Sequence, residues 1–174
     1  MSADVLRSLM LVVFAGLVVI AAIRDLTTYT IPNWISLALA AAFAPAALAA
    51  GETWPAIGLS LLVGVGMLAV GIVMFALRWI GGGDAKLMAA ASMWLGVQGL
   101  IPFVLYTGLA GGALALMLLA VRSAWLRPFA AVGPGWVDRL ATPGGATPYG
   151  VAIAVGALGA FPLGALMSGA HAGF

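Results

Sequence analysis

Cysteine is absent and histidine occurs once, at His171. Disulfides, thiolate and clustered-histidine metal sites, and most nucleophile–histidine pairs are therefore excluded. Charge is nearly as scarce: only 7% of the 174 residues are charged, against about 25% in an ordinary soluble domain. With 64% hydrophobic residues and a mean hydropathy of +1.19, too few polar side chains exist to cover a compact surface in water. Lipid must face much of the chain. The seven basic residues give a net charge of +2, but they are scattered along apolar sequence and make no continuous surface for nucleic acid. Their bias reads as membrane topology, and little remains for chemistry except carboxylates.

So few charges act as punctuation between spans of about 20 apolar residues, the length that crosses about 30 Å of hydrocarbon. The sequence predicts an all-α integral membrane protein forming a six-helix bundle, with crossings over about 6–23, 33–50, 56–78, 85–98, 100–121 and 148–168. Arg24 and Asp25 are expected to close the first helix, and Pro32 to open the second. The run Gly81-Gly82-Gly83 is expected to stay outside a helix. The uncharged interval 87–121 is too long for one crossing and is divided at Gly96 to Pro102. Residues 122–147 read as a polar loop with a short interfacial helix around Trp136 to Leu140. One membrane domain, 1–174, accounts for the chain, and its start reads as a retained helix rather than a cleaved secretion signal. Trp34, Trp54, Trp79, Trp94, Trp125 and Trp136 mostly flank predicted helix ends, as an interfacial belt would. Six of the seven basic residues, all but Arg7, fall on one face of this arrangement, which the positive-inside bias assigns to the cytoplasm, with both termini outside.

Two of the five acids are in unusual settings. Asp25 ends the first crossing and Asp84 opens the fourth, so parity alone puts them at one depth on the inner face. Asp84 directly follows the glycine run, where another chain can approach closely. Two adjacent carboxylates do not both ionise cheaply, and they share a proton. The charged member can then take a proton from water as it attacks a peptide carbonyl, while the protonated member donates to the carbonyl oxygen. Lys86, two positions on, is about 200° round the helix from Asp84, and Arg24 about 100° from Asp25. Plainer readings exist for each acid. Asp84 suits a helix cap, and Asp25 a loose interfacial pair with Arg24.

The pattern around the acids is specific. Asp25 is followed by Leu26-Thr27-Thr28-Tyr29-Thr30-Ile31-Pro32-Asn33-Trp34, and Gly81-Gly82-Gly83-Asp84-Ala85-Lys86-Leu87 by a later Pro148-Tyr149-Gly150-Val151. Together these resemble the prepilin peptidases, membrane aspartic proteases with a Gly-x-Gly-Asp motif. The resemblance implies that Asp25 and Asp84 are the catalytic pair and that no cofactor or metal is needed. Its matching motif residues, Pro32, Asn33, Gly81, Gly82, Gly83, Lys86, Pro148, Tyr149 and Gly150, become candidate supporting or substrate-binding positions. The implied substrate is a type IV prepilin or pseudopilin precursor with a short basic leader ahead of a hydrophobic helix. Cleavage would fall at the cytoplasmic face of a bacterial inner membrane, with pilus assembly machinery as a wider partner. Larger relatives carry an inserted zinc-binding cysteine domain and methylate the new amino terminus, which a compact chain without cysteine is not expected to do. The likeness is closest to the compact peptidases serving Flp (tight-adherence) pili, with archaeal preflagellin peptidases the nearby alternative.

Among other candidates, Asp138 lies beside Arg139 in the polar loop and reads as half of a solvated ion pair. Asn33 is expected either to orient water or substrate near Asp25 or to cap the second helix, and Tyr149 either to reach the site or to anchor at the interface. A small transporter or channel, or a structural subunit, is the rival class. A pathway would leave polar groups at intervals through the bilayer, whereas the acids here cluster at one face.

Overall fold

The computed structural model describes residues 3–123 and 134–168. Trp125, Arg127 and His171, together with the side chains of Asp4 and Arg7, lie outside the described residues, as do the expectations attached to them. Among the described residues all regular structure is helical: α1 (Ala3–Thr28), α2 (Asn33–Ala49), α3 (Trp54–Ala76), α4 (Gly82–Val121), α5 (Gly135–Ala141), α6 (Tyr149–Ala160), a 3-10 turn (Phe161–Leu163) and α7 (Ala165–Ser168). Four stretches are long and apolar enough to cross a bilayer: Ser8–Thr28, Trp54–Ala76, Gly82–Val121 and Tyr149–Met167. The apolar α2, at 17 residues, stands at the short limit.

Arg24 and Asp25 do not close α1. The hydroxyls of Thr27 and Thr28 bond back to the carbonyls of Ile23 and Arg24, both at 2.7 Å, and carry the helix one more turn. Chain reversal waits for Tyr29, held at φ 53°. Pro32 opens α2 as expected, at the cap position with extended backbone. Gly51 closes α2 at φ 79°, with the Glu52 N–H reaching back to the Ala47 carbonyl and the Gly51 N–H to Leu48, the hydrogen-bond pair of a left-handed helix stop. Arg78 ends α3 the same way at φ 61°, in a conformation that costs a side-chain-bearing residue more than glycine.

The glycine run is a second departure. Gly82 and Gly83 form the first turn of α4, with Gly81 at its cap. What the run supplies is proximity: a Cβ on Gly83 would stand 3.0 Å from the Ile31 side chain. α4 itself is 40 residues long, about 60 Å if straight, twice the hydrocarbon thickness. It is not straight. Gly96 adopts φ 61° and ψ −165°, a region open essentially to glycine. Met88 shares a cavity with Gly108 and Gly111, although a straight helix would hold Met88 and Gly108 about 30 Å apart. The limbs 82–95 and 97–121 therefore double back on one another. The division expected between the fourth and fifth helices falls on Gly96 alone, and Gln98 and Pro102 lie within the second limb.

Small residues let these limbs pack backbone to backbone. Gly71 of α3 lies against Ala85, where an added Cβ would stand 2.8 Å from the alanine methyl. Gly156 of α6 lies against Thr107, 2.7 Å from its backbone nitrogen by the same measure. At the centre Trp94 is 1% exposed and donates its indole N–H to the Leu39 carbonyl at 2.8 Å, with Phe14 and Phe43 beside it. It is a core residue, not part of an interfacial belt, because the reversal at Gly96 turns its end of the limb inward. Trp34, Trp54 and Trp79 are 51%, 74% and 64% exposed, as interfacial residues are. The short helix expected around Trp136 to Leu140 is α5, which packs Leu140 against Leu114 and Leu118 of α4.

Candidate active site

The end of α1, the start of α4 and the start of α6 meet at one end of the bundle. Ile31 occupies the junction: Gly83 abuts its Cβ, and a Cβ on Gly150 would stand 3.0 Å from its Cδ1. This single side chain lies between the start of α4, which carries Asp84, and the start of α6, whose Gly150 touches Asp25. Asp25 is 5% exposed and Asp84 7%, and the carboxylates lie within electrostatic reach of one another.

Each acid is held by one backbone N–H. The Gly150 N–H donates to Asp25 Oδ2 at 2.7 Å, a bond across 125 residues of sequence. That approach requires glycine, since a Cβ there would stand 2.9 Å from both Asp25 Cβ and Oδ2. Asp84 Oδ2 accepts the Gly81 N–H at 3.0 Å, so the capping role that the sequence allowed is real. It occupies only one oxygen. Asp84 Oδ1 is buried with no hydrogen-bond partner among the described residues, a costly arrangement for a polar atom unless another molecule or a shared proton meets it there.

The other motif residues divide between this junction and its surroundings. Pro148 caps α6 and is fully buried, fixing the turn that presents Gly150. The half-buried Tyr149 ring lies over Gly111 of α4, in the cavity lined by Met88 and Ile153, and it is Gly150 that touches Asp25. Asn33 does not cap α2; its Oδ1 accepts a hydrogen bond from Lys86 Nζ at 2.8 Å. Lys86 is exposed, two positions from the buried Asp84, on the other side of α4 as helical geometry requires. Gly82 faces the Phe75 ring.

Asp138 is exposed on α5, and its neighbour Arg139 donates instead to the Thr27 carbonyl at 2.6 Å. Arg122 ties the same region down through the Leu140 and Ala146 carbonyls at 2.8 and 2.7 Å. Tyr29 lies within electrostatic reach of these guanidiniums and of Asp25, and its hydroxyl is buried without a partner among the described residues. Burial pushes the phenol above its ordinary 10, against the pull of Arg122 and Arg139, so it is a neutral O–H donor. Tyr29 and Ile31 have no chemical signature in sequence beyond their place in the stretch between Asp25 and Asn33. Among the described residues no three His, Cys, Asp or Glu side chains gather to hold a metal ion.

Helices enclosing two buried aspartates at one end of an apolar bundle define a polytopic membrane protein with an acid-pair site. The profile of the type IV leader peptidase family matches residues 12–116, well over half of the chain, and includes both Asp25 and Asp84. The protein belongs to that family, and is on that ground a peptidase. Pro148-Tyr149-Gly150 lies beyond the matched span, yet it supplies the N–H that holds Asp25. No curated protein and no solved structure matches the chain.

Proposed function

We propose that this protein is a membrane aspartic endopeptidase, one domain of six crossings, that removes the short basic leader from type IV prepilins of the Flp class at the cytoplasmic face of a bacterial inner membrane. Asp25 and Asp84 are the catalytic pair. The observation that carries the reading is the junction at Ile31, where two acids 59 positions apart in the chain are buried together and each is left with capacity to bond outward.

The chemistry follows from that asymmetry. A single proton shared by the pair leaves one carboxylate to draw a proton from water as its oxygen attacks the scissile carbonyl carbon. The protonated partner donates to the carbonyl oxygen, giving a neutral tetrahedral diol. Its collapse breaks the C–N bond as a proton passes to the leaving amine, and the pair returns to one proton. The free Oδ1 of Asp84 faces no competing protein donor among the described residues and suits contact with water or carbonyl oxygen. The rival transporter reading finds little support, because the buried acids, Asp25 and Asp84, gather at one end of the bundle.

Five described cations, Arg24, Arg78, Lys86, Arg122 and Arg139, stand at the end of the bundle that carries the acids, which supports a cytoplasmic site. The test is to incubate the detergent-purified protein with a type IV prepilin of the Flp class and weigh the products. A cut at the junction of basic leader and apolar helix is expected. An intact precursor, or cleavage elsewhere, contradicts the assignment.

A further inference from the structure

Arg122 and Arg139 donate to backbone carbonyls, and among the described residues neither acid accepts a hydrogen bond from a cation. Arg122 stands at the end of the second limb of α4, four residues beyond Leu118 and eight beyond Leu114, so one stripe of that limb carries two leucines and then a guanidinium. The leucines pack against Leu140 of α5. The guanidinium continues the contact in polar form: Nε donates to the Leu140 carbonyl at 2.8 Å and Nη2 to the Ala146 carbonyl at 2.7 Å. Six extended residues would reach about 20 Å, yet one edge of one side chain holds both ends of this segment. Residues 142–148 belong to no helix, Gly144 stands at φ 74°, and the Gly145 N–H reaches the Thr142 carbonyl at 3.1 Å. Four residues past Ala146 is Gly150, whose N–H holds Asp25 Oδ2 at 2.7 Å. Little slack lies between them, because Pro148 is fully buried with its φ fixed by the ring, and the Tyr149 N–H bonds back to the Thr147 carbonyl at 2.9 Å.

We propose that Arg122 is a positioning residue for Asp25, acting through residues 140–150 and not on the acid itself. The inference rests on the peptidase reading above and adds what sets the orientation of one member of the pair. By clamping the carbonyls of Leu140 and Ala146, the guanidinium fixes where Pro148 starts α6, and hence where the Gly150 N–H points. Tolerance there is small. A Cβ on Gly150 would stand 2.9 Å from the carboxylate, and an N–H withdrawn by about 1 Å no longer bonds to it. The arrangement requires arginine. Nε and Nη2 are donors of one planar fork, fixed relative to one another, whereas a lysine ammonium brings the same charge on a flexible stem without that fixed pair. The loop lies close over the fork, since a Cβ on Gly145 would stand 3.4 Å from Nη2. Arg139 docks the same segment from its other end, through the Thr27 carbonyl two residues past Asp25.

Arg122→Lys keeps the charge and removes the fork, so it separates the two. On a prepilin of the Flp class, at a temperature where its helix content matches the native protein, its kcat should fall at least about tenfold while KM stays within about twofold. That split marks a group felt only in the transition state, as a misplaced catalytic acid would be. Gly150→Ala disturbs the link further along the chain. Because the two act in series, Arg122→Lys added to Gly150→Ala should change kcat by less than about twofold and not repeat its tenfold loss. Native kcat in Arg122→Lys, a rise in KM alone, or a full further tenfold loss in the double variant would overturn the proposal. Failure of the native protein to cut the same prepilin would instead reject the peptidase reading.

Discussion

Asp84 uses its two oxygens differently: Oδ2 closes the first turn of its own helix, and Oδ1 is buried without a hydrogen-bond partner among the described residues, the oxygen that the proposed chemistry would use. Asp25 depends on a distant residue, the Gly150 N–H, and on the lack of a side chain there. Gly150→Ala keeps the N–H but drives a methyl against the carboxylate, and displacements of that size near reacting groups cost about 100-fold. Its kcat on a prepilin should fall by about that factor while helix content by circular dichroism is kept; full activity would show that Asp25 is not held in place by this contact. Tyr29→Phe removes only a buried hydroxyl within electrostatic reach of Asp25 and the two arginines. The loss expected is about tenfold in kcat/KM, the size of one neutral hydrogen bond, with little change in stability. An undiminished kcat/KM would mean that the hydroxyl makes no bond to substrate or acid.

The helices are largely legible in the amino-acid sequence, because so few charges occur that the apolar intervals nearly mark them out. Their ends are less so. Arg24 and Asp25 carry the charge of a stop, but a threonine pair bonding to its own helix outlasts them. Gly82 and Gly83 are non-helical by propensity, yet a first turn needs few intrahelical bonds, and tertiary contact with Ile31 decides their conformation. The reversal inside 87–121 follows from length alone, and only backbone geometry identifies Gly96 as the residue that makes it. Gly96→Ala should destabilise the fold by about 1–3 kcal/mol, the usual cost of a side chain in that backbone region. Its thermal unfolding in detergent should shift down accordingly. An unchanged midpoint would mean that the limbs are joined by some other conformation.

At the scale of the whole molecule, the acid pair is legible because parity of crossings and a motif converge on the same two residues. The contacts around it are not. The Gly150 bond joins positions 125 apart, and the Asn33–Lys86 pair positions 53 apart, with no periodicity linking them. Topology is open to a direct check. Thr28, Trp79 and Thr53 lie near the ends of their helices, and in intact cells an impermeant thiol reagent should label Thr53→Cys but neither Thr28→Cys nor Trp79→Cys. The opposite pattern would put the acids outside the cell. The central claim is tested most directly by prepilin cleavage in three single variants. Asp25→Asn and Asp84→Asn should each lose at least about 100-fold in kcat, the lower range of acid–base catalysis, while Asp138→Asn cuts as fast as the native protein. Undiminished cleavage by either of the first two would contradict hydrolysis by this pair.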